Sequence, residues 1–233
     1  MFYDLHMHSC LSPCAENEMT PNNICNMALI KGLDLIAVTD HNSTKQLPAC
    51  AEAARNIGIG MLFGTELESS EEVHVLALYR RLEAALSLQP WIDAHMPGIP
   101  NDENYFGNQL IMNANDEIIG KEPQLLIVSL TATLDECVEE IHRTGGKAIL
   151  AHVVDRKNSV TTQLGFIPPD LPYDGLEIKR PEQIKEVIAR NPWIKENETE
   201  WLIDSDAHNL IDISEAVNEI SEDTVARLWG DLQ

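Results

Sequence analysis

Short runs of Val, Ile and Leu alternate with amphipathic stretches of helical period almost from one end of the chain to the other. The apolar runs predict strands at residues 2–8, 33–39, 60–66, 73–78, 147–152, 175–178 and 201–204. Thr20 is placed to cap a helix whose first residue is Pro21, and residues 134–144 predict another that Gly145 and Gly146 stop. Strand and helix in alternation are the pattern of a parallel α/β fold.

Residues 89–128 break that rhythm. Pro90, Pro97, Pro100 and Gly107 interrupt the pattern, and a hairpin is predicted to join residues 109–112 to 117–119 across residues 113–116. The segment reads as a small cap-like insertion over one rim of a single domain spanning residues 1–233.

Length agrees, since 233 residues lie near the upper end for one hydrophobic core and allow a barrel. The 44% hydrophobic content and 12 each of Gly and Pro exclude collagen-like, low-complexity and wholly disordered classes. The formal charge of −22 disfavours binding a long polyanion, while bound divalent cations would offset part of it. No run is long enough for a membrane span, and the start, MFYDLHMHS, lacks the form of a signal peptide, so a cytoplasmic protein with no membrane partner is expected. The five cysteines, Cys10, Cys14, Cys25, Cys50 and Cys137, are an odd number, and a disulfide framework is not expected.

The chemistry gathers at strand ends. Of eight histidines, His6, His8, His41, His74, His152 and His208 fall at or just beyond a predicted strand terminus. Residues i and i+2 of a strand share a face, so His6 and His8 can aim two imidazoles at one ion, and Asp206 and His208 repeat the spacing with a carboxylate. Asp40 and His41 in AVTDHN, Glu66 in LFGTELE and His152 in AILAH each close a strand on its C-terminal side, the rim where (β/α) barrels place reacting groups. In a barrel the first and last strands are neighbours, which would bring the two spaced pairs together. His74 is the exception: it lies near the start of its strand, so a shifted register or a neighbouring loop is expected to carry it to the site.

The ordered set DLHMHS, TDHN, GTELE, VHVLAL, AH and SDAH resembles the PHP (polymerase and histidinol phosphatase) family of metal-dependent phosphoesterases over nearly the whole chain. The resemblance implies a distorted (β/α)7 barrel with two or three divalent ions at its C-terminal rim. It implies one ion on His6, His8, Glu66 and Asp206, with Glu66 bridging to a second on His74 and His152. A third would be held by an acidic residue of the loop after the first strand with His41 and His208; Glu16 is chosen by counting back from Thr20-Pro21, with Glu18 as competitor. That loop, SCLSPCAENEMTP, departs from the family's short form and carries Cys10 and Cys14, which are either added sulfur ligands or small hydrophobes packing the loop. Nitrogen and oxygen donors together suit zinc, manganese and iron alike.

Several divalent ions in one cleft lower the pKa of water and clamp phosphate oxygens, which is the chemistry of phosphoester hydrolysis. Asp40 is either an orienting partner of His41 or a turn residue. Basic residues are scarce, and Arg156, just beyond His152, is the best placed to meet a phosphate, with Lys179 and Arg180 after another strand end in second place. The resemblance implies small phosphate esters as substrates: nucleoside monophosphates, 3′,5′-bisphosphates or short oligonucleotide ends, with histidinol phosphate as the alternative. An amidohydrolase would ask for a bridging Lys where Glu66 stands, and a non-catalytic metal-binding module would have less need of the full ligand set.

Overall fold

The computed structural model describes residues 1–230. Its frame is a seven-stranded sheet in the order β1 (Tyr3–Asp4), β2 (Leu35–Val38), β3 (Gly60–Glu68), β4 (His74–Tyr79), β7 (Lys147–Leu150), β8 (Gly175–Ile178) and β9 (Trp201–Ile203). The two ends of the sheet meet: Met7 bridges Ala207 in parallel, and the Leu5 amide donates to Asp204 Oδ1 at 2.6 Å. The result is the expected barrel. The first strand is shorter than the apolar run suggests, because residues beyond Asp4 bend to join the β9 side of the rim.

One strand runs against the expectation of a wholly parallel sheet. β4 is antiparallel to both β3 and β7, pairing Glu68 with His74 and Val75 with Leu150. Residues 69–73 alone connect β3 to β4, and a parallel crossover needs about a dozen residues or more. The reversal is what takes His74 to the rim: the start of an antiparallel strand lies where its neighbours end.

Alternation along the strands separates two buried layers. Leu5, Leu35, Leu62, Leu76, Leu78, Ile149 and Leu202 fill the barrel interior, closed at one end by Val225, Leu228 and Trp229 of α8 (Glu222–Trp229). Val75, Ala77 and Tyr79 face the other way, towards Val138 and Ile141 of α5 (Leu134–Arg143) and Val187 of α7 (Gln183–Arg190). α1 (Pro21–Ile30) and α2 (Leu47–Ile57) cover β2 through Ile24, Ala28, Cys50 and Ala53. As expected, Thr20 caps α1, its Oγ1 accepting from the Asn23 amide; Thr133 and Glu136 form a capping box on α5, which Gly145 follows at φ +85°.

The segment after β4 opens with two helices, α3 (Leu82–Leu86) and α4 (Gln89–His95), and α4 buries Ile92 in the main core. The hairpin follows as β5 (Leu110–Met112) and β6 (Ile118–Lys121). It is anchored to the loop after β1, where Leu110 N donates to the Cys10 carbonyl at 2.9 Å and Thr20 Oγ1 to Asp116 at 2.6 Å. It is also tied to the loop after β2, where Lys45 meets Glu122 at 2.5 Å and Asn42 Nδ2 donates to the carbonyls of Leu126 and Val128. The short helix α6 (Val160–Gln163) follows β7. All five cysteines are free, and no helix among the described residues is long and apolar enough to cross a membrane.

Candidate metal centre

Strand geometry delivers most of the polar cluster to one end of the barrel. Glu66 and Glu68 continue the inward phase of Leu62 along β3, and His74 shares the inward phase of Leu76 and Leu78 on β4. His152 and Asp206 lie just beyond β7 and β9 with φ of +30° and +55°, left-handed backbone that ordinary residues avoid. At His152 the turn is held by its own amide, which donates to Glu177 Oε2 at 2.8 Å. His41 bridges Glu66 in parallel, and its amide donates to Ser12 Oγ at 3.1 Å.

The donor atoms of His6, His8 and Asp206 stand at even spacings, with the Glu66 carboxylate beside them. His6 Nε2 lies 3.2 Å from His8 Nε2, 3.5 Å from Asp206 Oδ1 and 3.4 Å from Glu66 Oε1. His8 Nε2 lies 3.3 Å from Asp206 Oδ1 and 3.4 Å from Glu66 Oε2. Two ligands each about 2.1 Å from a tetrahedral ion stand about 3.4 Å apart, so the His6, His8 and Asp206 edges match three ligands of one ion, with Glu66 presenting a different oxygen to each imidazole.

Glu66 continues into a second group: Oε1 is 2.8 Å from His74 Nδ1 and 3.2 Å from His152 Nε2, which are themselves 3.2 Å apart. His41 Nδ1 stands 3.1 Å from Glu66 Oε2, yet neither buried atom has a hydrogen-bond partner, which is how donor atoms sit when they point at a common cation. A third group joins His8, His41 and His208, with the His8 ring stacked at 4.4 Å on each of the other two. The donor set and its spacing fit divalent ions.

Ring orientation is fixed from behind. Glu177, fully buried on β8, holds His6 Nδ1 at 3.0 and 3.1 Å, which leaves Nε2 facing the cluster. Ser12 Oγ does the same for His8 Nδ1 at 3.3 Å while donating to Asp40 Oδ1 at 2.7 Å. Asp40 therefore does not orient the His41 ring: its carboxylate is taken up by the Ser9 amide and hydroxyl and by Ser12, so it braces the loop that presents His8. His208 Nδ1 donates to the Asp206 carbonyl at 2.8 Å.

Burial would raise the Glu66 carboxyl, but His74, His6 and His41 around it hold it well below the usual carboxylate range. Burial also opposes charge on His74, yet Glu66 and Glu68 bring it up to about 9. His6 is raised by Glu177, Glu66 and Asp206 against its own burial. Burial and neighbouring imidazoles, His8 first, push His41 well down and His208 to about 4. Without cations the cluster thus holds protons on its acid-facing imidazoles, and metal binding must displace them.

A cavity of about 170 Å³ opens over this cluster, lined by His41, Glu66, His74, His152, Arg156, Lys157, Asn158, Asp206 and His208. Arg156, half exposed, reaches Asp206 Oδ2 at 3.1 Å. Lys157 and Asn158, which sequence reasoning passed over, line the same mouth. Lys179 and Arg180 do not: Lys179 donates to the Ser205 carbonyl, and Arg180 stands 3.7 Å from Asp155. The Glu16 and Glu18 side chains are exposed and join none of the candidate groups, although the Glu16 amide donates to the His208 carbonyl at 2.9 Å. Cys10 is buried against Leu110 and Met112, and burial pushes its thiol up to about 12. Glu68 and Glu177 were also missed; a lone carboxylate inside an otherwise apolar strand, as in GLEI, is the signal that could have found Glu177.

A model of the PHP domain matches residues 4–164 of the chain. A 5′-3′ exoribonuclease of Haemophilus influenzae is 23% identical over 251 positions, covering 88% of this chain and 89% of its own. A chain from Bifidobacterium adolescentis, provisionally assigned as a metal-dependent phosphoesterase, superposes with a TM-score of 0.63 at 18% identity over 97% of this chain and 94% of its own. A lesion-specific endonuclease of Pyrococcus furiosus gives 0.59 at 19% identity over 89% of this chain, which spans about half (48%) of its length. The two structural likenesses establish the barrel.

Proposed function

The chain belongs to the PHP-domain family of metal-dependent phosphoesterases, and from that premise we propose that it hydrolyses the terminal phosphate esters of nucleotides or short oligonucleotides. The observation that carries this reading is the size and lining of the site. A cavity of about 170 Å³ is small beside the roughly 300–1,000 Å³ of pockets that enclose a whole ligand, so it suits a phosphoryl group with the remainder of the substrate outside. Similarity to a protein named a 5′-3′ exoribonuclease supports an oligonucleotide end; the net charge of −22 favours a short one.

His6, His8, Asp206 and Glu66 are assigned to one ion, Glu66, His74 and His152 to a second, and His41 and His208 to a third, of the zinc, manganese or iron class. Bound there, the ions would supply a water activated at neutral pH and Lewis-acid stabilisation of phosphate oxygens. The chain's own contributions are orientation and charge. Glu177 and Ser12 hold the His6 and His8 rings in one pose, and the buried Glu66 carboxylate stays ionised among imidazoles. Arg156, released from Asp206, can meet a phosphate oxygen, with Lys157 beside it. The hairpin segment is assigned as a cap that limits substrate size, since its bonds tie it to the loops after β1 and β2. Reduced cysteines throughout suit a cytoplasmic protein.

The test is elemental analysis of protein purified without chelator, followed by assays on 5′-phosphorylated oligonucleotides, nucleoside 3′,5′-bisphosphates and histidinol phosphate. Two or three ions per chain with release of nucleotides or phosphate from the first two substrates is the expected result. Turnover of histidinol phosphate alone would replace the substrate assignment, and metal with no ester turnover would overturn it.

A further inference from the structure

Twenty ångströms or so from the metal centre, at the opposite ends of β3 and β4, lies a larger cavity of about 780 Å³. Its rim carries Arg55 from the last turn of α2 and Arg80 and Arg81 from the exit of β4. Most basic side chains of this acidic protein are neutralised, among them Lys31 by Glu215, Lys147 by Asp174 and Arg227 by Glu200. Among the described residues, the basic side chains with neither an ion pair nor a hydrogen bond are Lys185 and these three arginines. Glu83 also lines the cavity but stands outside ion-pairing distance of them.

Three guanidinium groups around one cavity with no carboxylate partner among the described residues, in a chain with 38 acidic residues and 16 basic ones, make a local concentration of positive charge. Guanidinium forks match phosphate oxygens two at a time. The walls between them are apolar, from Ile59, Met61, Phe63, Leu82 and Trp229, and the volume falls in the range that encloses a small organic molecule. We propose that this cavity is a second ligand site, separate from the metal centre, that binds a nucleoside phosphate with its phosphates on Arg55, Arg80 and Arg81 and its base against the Phe63 and Trp229 wall. A small molecule seated here cannot reach the metal centre, so it acts as an effector or a stored product rather than as the reacting substrate.

The experiment is calorimetric titration of the protein as purified with the non-hydrolysable nucleotide α,β-methylene-ADP, repeated on Asp206→Ala and on the double variant Arg80→Gln with Arg81→Gln. Binding is expected to persist in Asp206→Ala and to weaken about tenfold or more in the double variant, whose ester hydrolysis at saturating substrate remains that of the parent. Arg55→Gln, on an exposed helix end, gives the same loss in part, and circular dichroism of each variant separates lost binding from lost folding. Binding that disappears in Asp206→Ala, survives in the arginine variants, or is absent altogether overturns the proposal. Pyrophosphate binding as tightly as the nucleotide overturns the assignment of the apolar wall to a base.

Discussion

The two ends of β3 and β4 are built from the same strands to opposite purposes. At one end Leu62 and Leu78 pack with Leu228 and Trp229, and the interior holds itself together by excluding water. At the other, Glu66, His74 and His152 are buried with their partners among further imidazoles and carboxylates, an arrangement that gains nothing from hydrophobic burial and costs desolvation for every charge. Stability comes from the packed end. It supports a polar end whose buried atoms lack partners and whose backbone is strained at His152 and Asp206.

That division is open to direct attack. Asp206→Ala removes one of three closely spaced donors and is expected to lower ester hydrolysis about a thousandfold, since a metal centre supplies several kcal/mol of catalysis, while the unfolding midpoint in the presence of chelator stays near that of the parent. If the chelated variant unfolds far earlier, the polar end also carries the fold and the contrast fails. Leu78→Ala, at the packed end opposite Gly64, should do the reverse, costing about 2–5 kcal/mol in denaturant titrations with metal content per folded chain preserved.

Glu177→Gln lies between the two regions. It keeps the shape but removes the charge behind His6, and is expected to weaken metal binding about 10- to 100-fold in competition with a fluorescent chelator. An unchanged affinity would make Glu177 a buried spectator.

A smaller effect is expected from pH. In the metal-free protein His74 is raised to about 9, so its protonated form stabilises the fold fully below its unfolded value near 6.5, and that contribution is lost as pH rises through about 9. A metal entering at pH 7 must displace that proton. Binding heats measured in buffers of different ionisation enthalpy should show proton release that shrinks towards pH 9, with apparent affinity rising over the same interval. His208, brought down to about 4, is already neutral at pH 7 and adds little.

Much of the site could be read without coordinates because its residues sit at fixed phases of strands. His6, His8, His41, Glu66, His152, Asp206 and His208 were each found as a polar residue closing an apolar run, and the structure gathers them at one rim. His74 was found as a residue but not as a direction. The five residues between Glu68 and His74 held the clue, since they are too few for a parallel return. Glu16 was placed by counting along a loop, where no period constrains a side chain, and its carboxylate turns to solvent. For Asp40 the sequence leaves open whether it orients His41 or shapes a turn, and its partners are Ser9 and Ser12 across the rim.

The sequence by itself determined the strand and helix alternation, the barrel, the family and the kinds of ligand atom available, because hydrophobic period and residue chemistry are local properties written one position at a time. Only the tertiary structure decided which way β4 runs, which carboxylate stands behind His6, which arginines remain unneutralised around one cavity, and how nitrogen and oxygen atoms from separate strands come to lie 3.2–3.5 Å apart. Those are relations between residues distant in the chain. They are set by the direction and register of packed strands, which no single stretch of sequence contains.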